Sequence, residues 1–319
     1  MVIRDEFYFK AANSGHDRFA AYWMDTKKTE YKGIFHIAHG MGEDILKYDP
    51  FAAALAMDGY IVCGFDFAGH GKSIDKPEDF GHFGDGEDNC MFFADDIFHL
   101  MKIMQEKFPN AEKYFVMGHS FGSYVVREFM TRFGKYVDGV CIMGTSDAIA
   151  GIDAIAMLCR VEIELQGEKA EGTRIYRMGM DWLNRRLLPV RTDFDWICSD
   201  EEVIDKYFVG SGKKFSFTYG GYINAYHLVK DVTSHEWYKT VPKDLPILII
   251  SGEQDALGEF GRGIKRVYNG LKNAGCHKVT MRLFAGCRHE LLSEKRKADV
   301  YKYIINWTDK QITRDLKVD

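Results

Sequence analysis

The amino-acid sequence predicts an α/β protein with a mostly parallel sheet of about eight strands and helices on both faces. Short, almost wholly apolar runs alternate with longer segments whose apolar residues recur at helical spacing, which is typical of parallel strands covered by helices. This alternation stops near residue 146 and resumes at residue 246, which indicates a helical insertion. The 319 residues, 46% of them hydrophobic, suffice for one large domain with an insertion, and their number fits two domains equally well.

The strands are predicted from runs rich in Ile, Val and Phe. The first two runs flank the turn signal Asn13-Ser14-Gly15, which predicts a hairpin that adds an antiparallel edge to the sheet. The predicted strands are residues 7–10, 18–24, 33–38, 60–65, 114–117, 137–143, 246–250 and 278–284.

The helices are predicted from apolar spacing, with Phe92, Ile97 and Leu100 as one example. The predicted helices are residues 48–57, 91–107, 121–133, 152–166, 173–188, 200–208, 261–274 and 295–310. The segment 215–228 is aromatic and broken by glycines, and its pattern predicts no regular element. We therefore expect a core formed by residues 1–145 and 241–319, with a helical cap inserted at 146–240.

Composition excludes several classes of function. Lys and Arg number 42 against 47 Asp and Glu, so the net charge of −5 argues against a nucleic-acid partner. Apolar runs such as 246–250 are far shorter than the roughly 20 residues of a membrane span. Acidic residues stand where a signal peptide needs an apolar core, so we expect a cytoplasmic protein. The seven scattered cysteines contain no Cys-x-x-Cys pair, and we expect neither disulfides nor a metal site.

The motif Gly118-His119-Ser120-Phe121-Gly122 is the strongest chemical signal. A predicted strand runs directly into this Gly-x-Ser-x-Gly pattern and a predicted helix runs directly out of it. That context is the one required of a nucleophile elbow, whose sharp turn exposes a serine hydroxyl in a strained backbone conformation. An ordinary glycine-rich turn between strand and helix is the alternative.

A serine nucleophile needs a base and an acid that orients the base. Asp255 follows the predicted strand 246–250, and His289 follows the strand 278–284, in the chain order that such a triad requires. We prefer this pair to other candidates. The alternative acids are Glu253 and Asp147, and the alternative bases are His227, His235 and His277.

The developing oxyanion also needs hydrogen-bond donors. One donor is expected to be the backbone N–H of Phe121, directly after the serine. The loop His39-Gly40-Met41-Gly42-Glu43 follows the third predicted strand, and we assign the N–H of Met41 as the second donor. A simple turn without this role is the alternative.

The sequence resembles the serine α/β-hydrolases of the monoacylglycerol lipase and lysophospholipase type, a group related to the S33 serine aminopeptidases that carries a helical cap. The residues that carry the resemblance are 39–43, 66–73, 118–122, 252–255 and 286–294. It implies an α/β-hydrolase fold, an acyl-serine mechanism without a cofactor, and the roles assigned above to Ser120, Asp255 and His289. Ala256 and Ser293 depart from the family pattern, which usually has Pro and Asn at these positions.

The substrate is predicted only as a class. Phe217 and Tyr222 are candidate substrate contacts in the aromatic segment, whose apolar surface suits an acyl chain. A monoacylglycerol-like or lysophospholipid-like ester is therefore expected, with transient contact with lipid aggregates. Five arginines of the insertion could bind a phosphate headgroup, so a lysophospholipid is retained as an alternative substrate: Arg174, Arg177, Arg185, Arg186 and Arg191.

Other functions stay open at this stage. A carboxylesterase, a thioesterase or a C–C hydrolase of small substrates would use the same core, and the fold also supports non-catalytic binding proteins. Nucleotide binding is not expected, because Gly69-His70-Gly71-Lys72-Ser73 lacks the first glycine of a P-loop, with Asp66 at that position.

Overall fold

The computed structural model describes residues 1–84, 89–149, 151–209 and 216–315. Its strands are β1 (Val2–Lys10), β2 (Asp17–Asp25), β3 (Gly33–Ala38), β4 (Tyr60–Phe65), β5 (Tyr114–His119), β6 (Gly139–Met143), β7 (Ile247–Gly252) and β8 (Val279–Phe284). They form one sheet in the order β1-β2-β4-β3-β5-β6-β7-β8. Strand β2 is antiparallel to β1 and β4, whereas the other pairs are parallel. The predicted sheet, with its hairpin at one edge, is therefore confirmed.

Some helices cover the two faces of this sheet, and others lie in the segment between β6 and β7. They are α1 (Asp49–Asp58), α2 (Phe92–Lys107), α3 (Phe121–Phe133), α4 (Ile152–Gln166), α5 (Thr173–Asn184), α6 (Glu201–Ile204), α7 (Tyr219–Val232), α8 (His235–Thr240), α9 (Arg262–Asn273) and α10 (Lys297–Asp315). Helices α1 and α10 pack on one face, and α2, α3 and α9 pack on the other. Because strands β3 to β8 are parallel, they end at one common edge of the sheet, where the loops that follow them meet.

The segment between β6 and β7 contains α4 to α8 and differs from the prediction in one main respect. Helix α7 occupies the segment whose glycines predicted no regular element. The hydroxyl of Thr218 accepts a hydrogen bond of 3.0 Å from the N–H of Gly221 and begins the helix. A methyl group on Gly221 would lie 2.0 Å from the carbonyl oxygen of Gly81, so this glycine permits close packing and does not interrupt the helix. Phe215 lies outside the described residues.

Two other predicted helices differ from the structure in extent or type. Helix α5 ends at Asn184, four residues before the predicted end, because the Asn184 side chain turns outward from the helix to the following loop. Its amide donates to the carbonyl of Asp193 at 2.8 Å and its oxygen accepts from the N–H of Trp196 at 3.1 Å. Helix α6 continues into a π-helical turn over Asp205–Val209.

Arg127 on α3 joins the core to both ends of this segment. Its fully buried guanidinium donates to the carbonyl of Ser146 at 2.7 Å and to the carbonyl of Val232. It also lies 4.3 Å from the centre of the Trp237 ring, and the indole N–H of Trp237 donates to the Arg127 carbonyl at 2.9 Å. One side chain therefore satisfies carbonyl groups at the start of the segment and at the end of α7.

Replacing Arg127 with Met should destabilise the fold by about 2–4 kcal/mol, because two buried carbonyl groups lose their donor. Urea unfolding followed by circular dichroism would measure this loss. Arg132→Met is the matched control, since Arg132 lies on the same helix in a partly exposed pair with Asp95 and should lose much less stability. Equal losses for the two variants would contradict the anchoring role of Arg127.

Candidate active site

Ser120 stands at a sharp turn between β5 and α3. Its φ of 53° and ψ of −118° place a non-glycine residue in a strained region of backbone conformation. The flanking glycines are required by the packing. A methyl group on Gly118 would lie 2.2 Å from the carbonyl oxygen of Gly122, and one on Gly122 would lie 2.3 Å from that of Ala38. The turn therefore presents the half-buried Ser120 side chain at the carboxyl edge of the sheet.

Asp255 follows β7 and is fully buried. Its carboxylate accepts hydrogen bonds from the Ser251 hydroxyl at 2.6 Å and from the N–H of Leu257 at 2.9 Å. Burial alone would raise the pKa of Asp255, but the interaction with His289 and the hydrogen bond from Ser251 lower it below the usual value. The carboxylate is thus kept ionised and oriented.

His289 follows β8 and contacts Asp255 through Nδ1, which lies 3.1 and 3.2 Å from the two carboxylate oxygens. Because an ionised carboxylate only accepts hydrogen bonds, Nδ1 carries a proton, and in the neutral ring Nε2 is then the nitrogen with the lone pair. Nε2 is buried and forms no hydrogen bond with any described residue, and His289 lines the same cavity as Ser120. The pair has the geometry of a general base held by an acid.

The alternative acids and bases have other surroundings. Asp147 accepts hydrogen bonds from the Tyr238 hydroxyl and from Arg266, both at 3.0 Å. Glu253, His235 and His277 are exposed. Neither these four residues nor His227, all within the described ranges, line the cavity at Ser120.

The loop after β3 passes directly beside Ser120. A methyl group on Gly40 would lie 3.2 Å from Cβ of Ser120, and Met41 and Phe121 both line the cavity. Phe121 is the first residue of α3, where backbone N–H groups have no partner within the helix. The N–H of Gly40 donates to the Glu43 carboxylate at 2.8 Å, which holds the loop in this position. Both residues whose backbone N–H groups the sequence predicts as donors therefore line the cavity.

Sequence reasoning missed a charged cluster beside Ser120, formed by Glu43, Lys47, Tyr48, His119 and Glu290, three of which line the cavity. Lys47 donates to both carboxylates, and each carboxylate has an oxygen 3.6 Å from Nδ1 of His119. The Tyr48 hydroxyl donates to Glu43 at 2.6 Å. Three of these residues stand inside or beside the recognised motifs, which was the available signal, but their mutual contact depends on the fold.

Burial and pairing oppose each other in this cluster. Burial alone would lower the pKa of His119, but Glu290 and Glu43 outweigh it and raise this pKa. Burial alone would raise the pKa of Glu43, but Lys47 and His119 hold it well below the usual value. Ligand atoms of Glu43, His119 and Glu290 lie within 4.8 Å of one another, a spacing that would suit a metal ion. The Lys47 ammonium already supplies the positive charge between the carboxylates.

The cavity at Ser120 is largely apolar and has a volume of about 1330 Å³, its open mouth included. Phe217 and Tyr222, the candidate substrate contacts, both line it, together with residues of α4 and α5 such as Ile152 and Met180. Phe217 packs against Phe121, with ring centres 5.7 Å apart. None of the five insertion arginines, all of them in described ranges, lines the cavity; Arg174 pairs with Glu162, and Arg191 pairs with Asp205.

The strand order, the turn at Ser120 and the helical segment between β6 and β7 define an α/β-hydrolase. The family model of the serine aminopeptidases S33 matches residues 29–296, and the chain belongs to this family. Within the described residues, no helix is both long enough and apolar enough to span a bilayer.

Relatives with related activities cover almost the whole chain. A monoglyceride lipase homolog of Monkeypox virus is 22% identical over 91% of this chain and 93% of its own length. A monoacylglycerol lipase of Mycolicibacterium smegmatis is 21% identical over 88% of this chain and 90% of its own. The crystal structure of a thermostable carboxyl esterase from Bacillus coagulans, in complex with glycerol, superimposes with a TM-score of 0.87. It is 26% identical and covers 97% of this chain and 99% of its own.

Lys47→Met should destabilise the protein by about 3–5 kcal/mol at pH 8, because it leaves two buried carboxylates without their cation. In the wild type, the lowered pKa of Glu43 adds stability above the ordinary glutamate pKa, and this contribution is lost as the pH falls through the lowered value. In the variant the folded state should instead bind protons more readily than the unfolded state. The deficit should therefore shrink between pH 8 and pH 5.

Urea unfolding at pH 5, 6.5 and 8 measures this change. Lys239→Met, which removes one partner of an exposed pair with Glu236, should have little effect at any of these pH values. A deficit for Lys47→Met that stays constant with pH would show that the carboxylates do not depend on Lys47 for their ionisation.

Proposed function

We propose that this protein is a serine hydrolase that cleaves carboxylic esters through an acyl-serine intermediate. The observation that carries the proposal is the Asp255–His289 pair, joined at 3.1 Å, on the cavity that also contains Ser120 at its strained turn. The lipase and esterase activities named for the relatives support ester hydrolysis.

In the proposed mechanism, Nε2 of His289 accepts the proton of Ser120 as its Oγ attacks the carbonyl carbon of the ester. The N–H groups of Met41 and Phe121 donate to the resulting oxyanion. The protonated His289 then gives its proton to the oxygen of the leaving alcohol. Water then gives a proton to Nε2 of His289 and attacks the acyl carbon; as the bond to Oγ of Ser120 breaks, His289 returns that proton to Oγ and the carboxylic acid is released. Asp255 keeps Nδ1 protonated and stabilises the imidazolium in both steps.

The proposed substrate is a monoacylglycerol-like or lysophospholipid-like ester, and residues 146–240 are proposed to form the cap that selects it. The apolar cavity between α4, α5, α7 and the Ser120 turn supports an acyl chain as the recognised group. The arginines of the insertion lie away from this cavity, so the monoacylglycerol-like ester is favoured over one with a phosphate headgroup.

Contact with lipid aggregates is part of this proposal. Met157, Val161 and Leu165 recur every four residues on α4 and expose 70%, 52% and 75% of their surface. This spacing puts them on one face of the helix, where an apolar row can meet the surface of a lipid aggregate. A rise in turnover when a long-chain ester passes its aggregation concentration would support the contact, and unchanged turnover would count against it.

Asp255→Asn should lower kcat/KM by about 10⁴-fold, because the asparagine favours the wrong tautomer of His289, and Ser120→Ala should lower it by at least about 10³-fold. Hydrolysis of p-nitrophenyl butyrate and labelling by a serine-directed phosphonate would measure both effects. Asp147→Asn is the control and should remain near wild-type activity. If Asp147→Asn lost its esterase activity while Asp255→Asn kept it, the acid that orients His289 would be Asp147, in the loop after β6. A wild type that is neither labelled nor active would favour a binding protein.

Activity should rise with acyl length, by about three- to fourfold in kcat/KM per methylene until the cavity is full, because each buried CH₂ contributes about 0.8 kcal/mol. Gly179 lines the cavity and has open space at its Cβ position, so Gly179→Leu should stop the rise at shorter chains. Tyr222→Ala should extend the rise to longer chains.

A series of p-nitrophenyl esters from acetyl to decanoyl tests this prediction. Arg177→Leu, an exposed position on the same helix as Gly179, is the control and should leave the series unchanged. A flat series would instead favour a small ester, a thioester or a C–C substrate and would leave the proposed triad intact.

A further inference from the structure

Residues 194–199, which we call the strap, connect the insertion directly to the loop that carries His289. The guanidinium of Arg288 donates to the carbonyls of Asp195 and Cys198, the latter at 3.1 Å. On the other side of His289, the N–H of Glu290 donates to the carbonyl of Ile197 at 2.7 Å. The strap is therefore hydrogen-bonded to the residue before His289 and to the residue after it.

Glu294 adds a second attachment between the strap and the same loop. Its carboxylate accepts from the N–H of Ser199 at 3.0 Å, from the Ser199 hydroxyl, and from the N–H of Arg288 at 2.7 Å. Glu294 is 1% exposed, so these hydrogen bonds are shielded from water. The strap and the His289 loop therefore form one structural unit, although one belongs to the insertion and the other to the core.

Trp196, at the centre of the strap, packs on the ring of His289. The two ring centres are 4.8 Å apart and the ring planes meet at 39°. The indole is 8% exposed and is fixed from behind, where its N–H points to the sulfur of Met180 at 3.4 Å and its backbone N–H donates to Asn184. The aromatic face next to His289 is thus held in place by α5.

Other residues around His289 belong to the core. The carboxylate of Asp255 contacts Nδ1 of His289, and the ring centre of His119 lies 5.0 Å from that of His289. A methyl group on Gly144 would lie 3.0 Å from Cε1 of His289. Because the mechanism proposed above turns His289 into an imidazolium twice in each cycle, an aromatic face beside it interacts more strongly with the charged ring than with the neutral one. The effect is greatest where water is excluded.

We propose that Trp196 is a positioning residue that the insertion supplies to the base: it fixes the His289 ring and stabilises its protonated form through its indole face. This inference rests on the proposed function, since it assigns His289 the role of base. It gives the insertion a part in the chemistry in addition to substrate selection.

Trp196→Leu and Trp196→Phe form the matched pair that tests the proposal, because both keep an apolar side chain and only Phe keeps an aromatic face. The charged and titratable groups near His289 are the same in all three proteins: Asp255, His119, Glu43, Glu290, Lys47 and Arg288. Their influence therefore cancels in the comparison. Trp182→Leu, on a partly exposed tryptophan of α5 outside the cavity lining, controls for loss of an indole from the insertion.

The measurement is the pH dependence of kcat/KM with p-nitrophenyl acetate, a substrate too short to depend on the acyl cavity. Trp196→Leu should lower the plateau about five- to tenfold and move the midpoint of the acid limb to lower pH by about half to one unit, because the protonated ring loses its aromatic partner. Trp196→Phe should fall between Leu and wild type, and Trp182→Leu should match wild type. Should the Leu variant fail to fold by circular dichroism, the Phe variant still carries the comparison.

An acid limb that stays in place or moves to higher pH in Trp196→Leu and Trp196→Phe would overturn the proposal, even if the plateau falls, because looser packing alone lowers the rate without shifting that limb. NMR titration of the His289 ring in the Ser120→Ala background gives a readout independent of catalysis. A shift to lower pH there supports the role of Trp196 even in a protein without esterase activity. Failure of phosphonate labelling in the wild type would refute the proposed function separately.

Discussion

The partly buried ammonium of Lys47 fixes how three loops of the active-site edge meet. It contacts Glu43 in the loop after β3 and Glu290 in the loop after β8, and both carboxylates face His119, the residue before Ser120. These loops are distant in sequence, so no local preference sets their relative positions. Because a buried carboxylate that loses its cation costs several kcal/mol, any separation of the loops is penalised. The turn at Ser120, the loop that carries His289 and the loop after β3 therefore share one support.

The charged cluster around Lys47 does not include Asp255, the carboxylate that contacts His289. Burial alone would lower the pKa of His119, but the two carboxylates that face its Nδ1 raise it, so this ring is tied electrostatically to Glu290 and Glu43. The carboxylate that contacts Nδ1 of His289 belongs to Asp255, and the lowered pKa of Asp255 keeps it ionised. The acids that hold the loops together, Glu43 and Glu290, are therefore different from Asp255, the acid that contacts His289.

The sequence was sufficient for features that depend on local chain geometry or on the shared edge of parallel strands. The turn at Ser120 involves five consecutive residues, and Asp255 and His289 each follow a recognisable strand, so the structure brings together the residues that these patterns selected. Contacts between distant segments were not predictable: Lys47 and Glu290 are 243 residues apart. Helix α7 was missed because the glycine at 221 reads as a break until the packed carbonyl of Gly81 is known.

The insertion is attached to the core at two places with different consequences. Arg127 holds its ends through the carbonyls of Ser146 and Val232, whereas the strap holds its middle against the His289 loop. Between these attachments, α4, α5 and α7 pack on one another around their own small apolar cluster and form the wall of the cavity. A change in that wall can alter the shape of the cavity without moving either attachment. A change in the strap reaches both the cavity, which Trp196 lines, and His289, on which Trp196 packs, whereas a change in the wall leaves the contacts of the strap with the His289 loop in place.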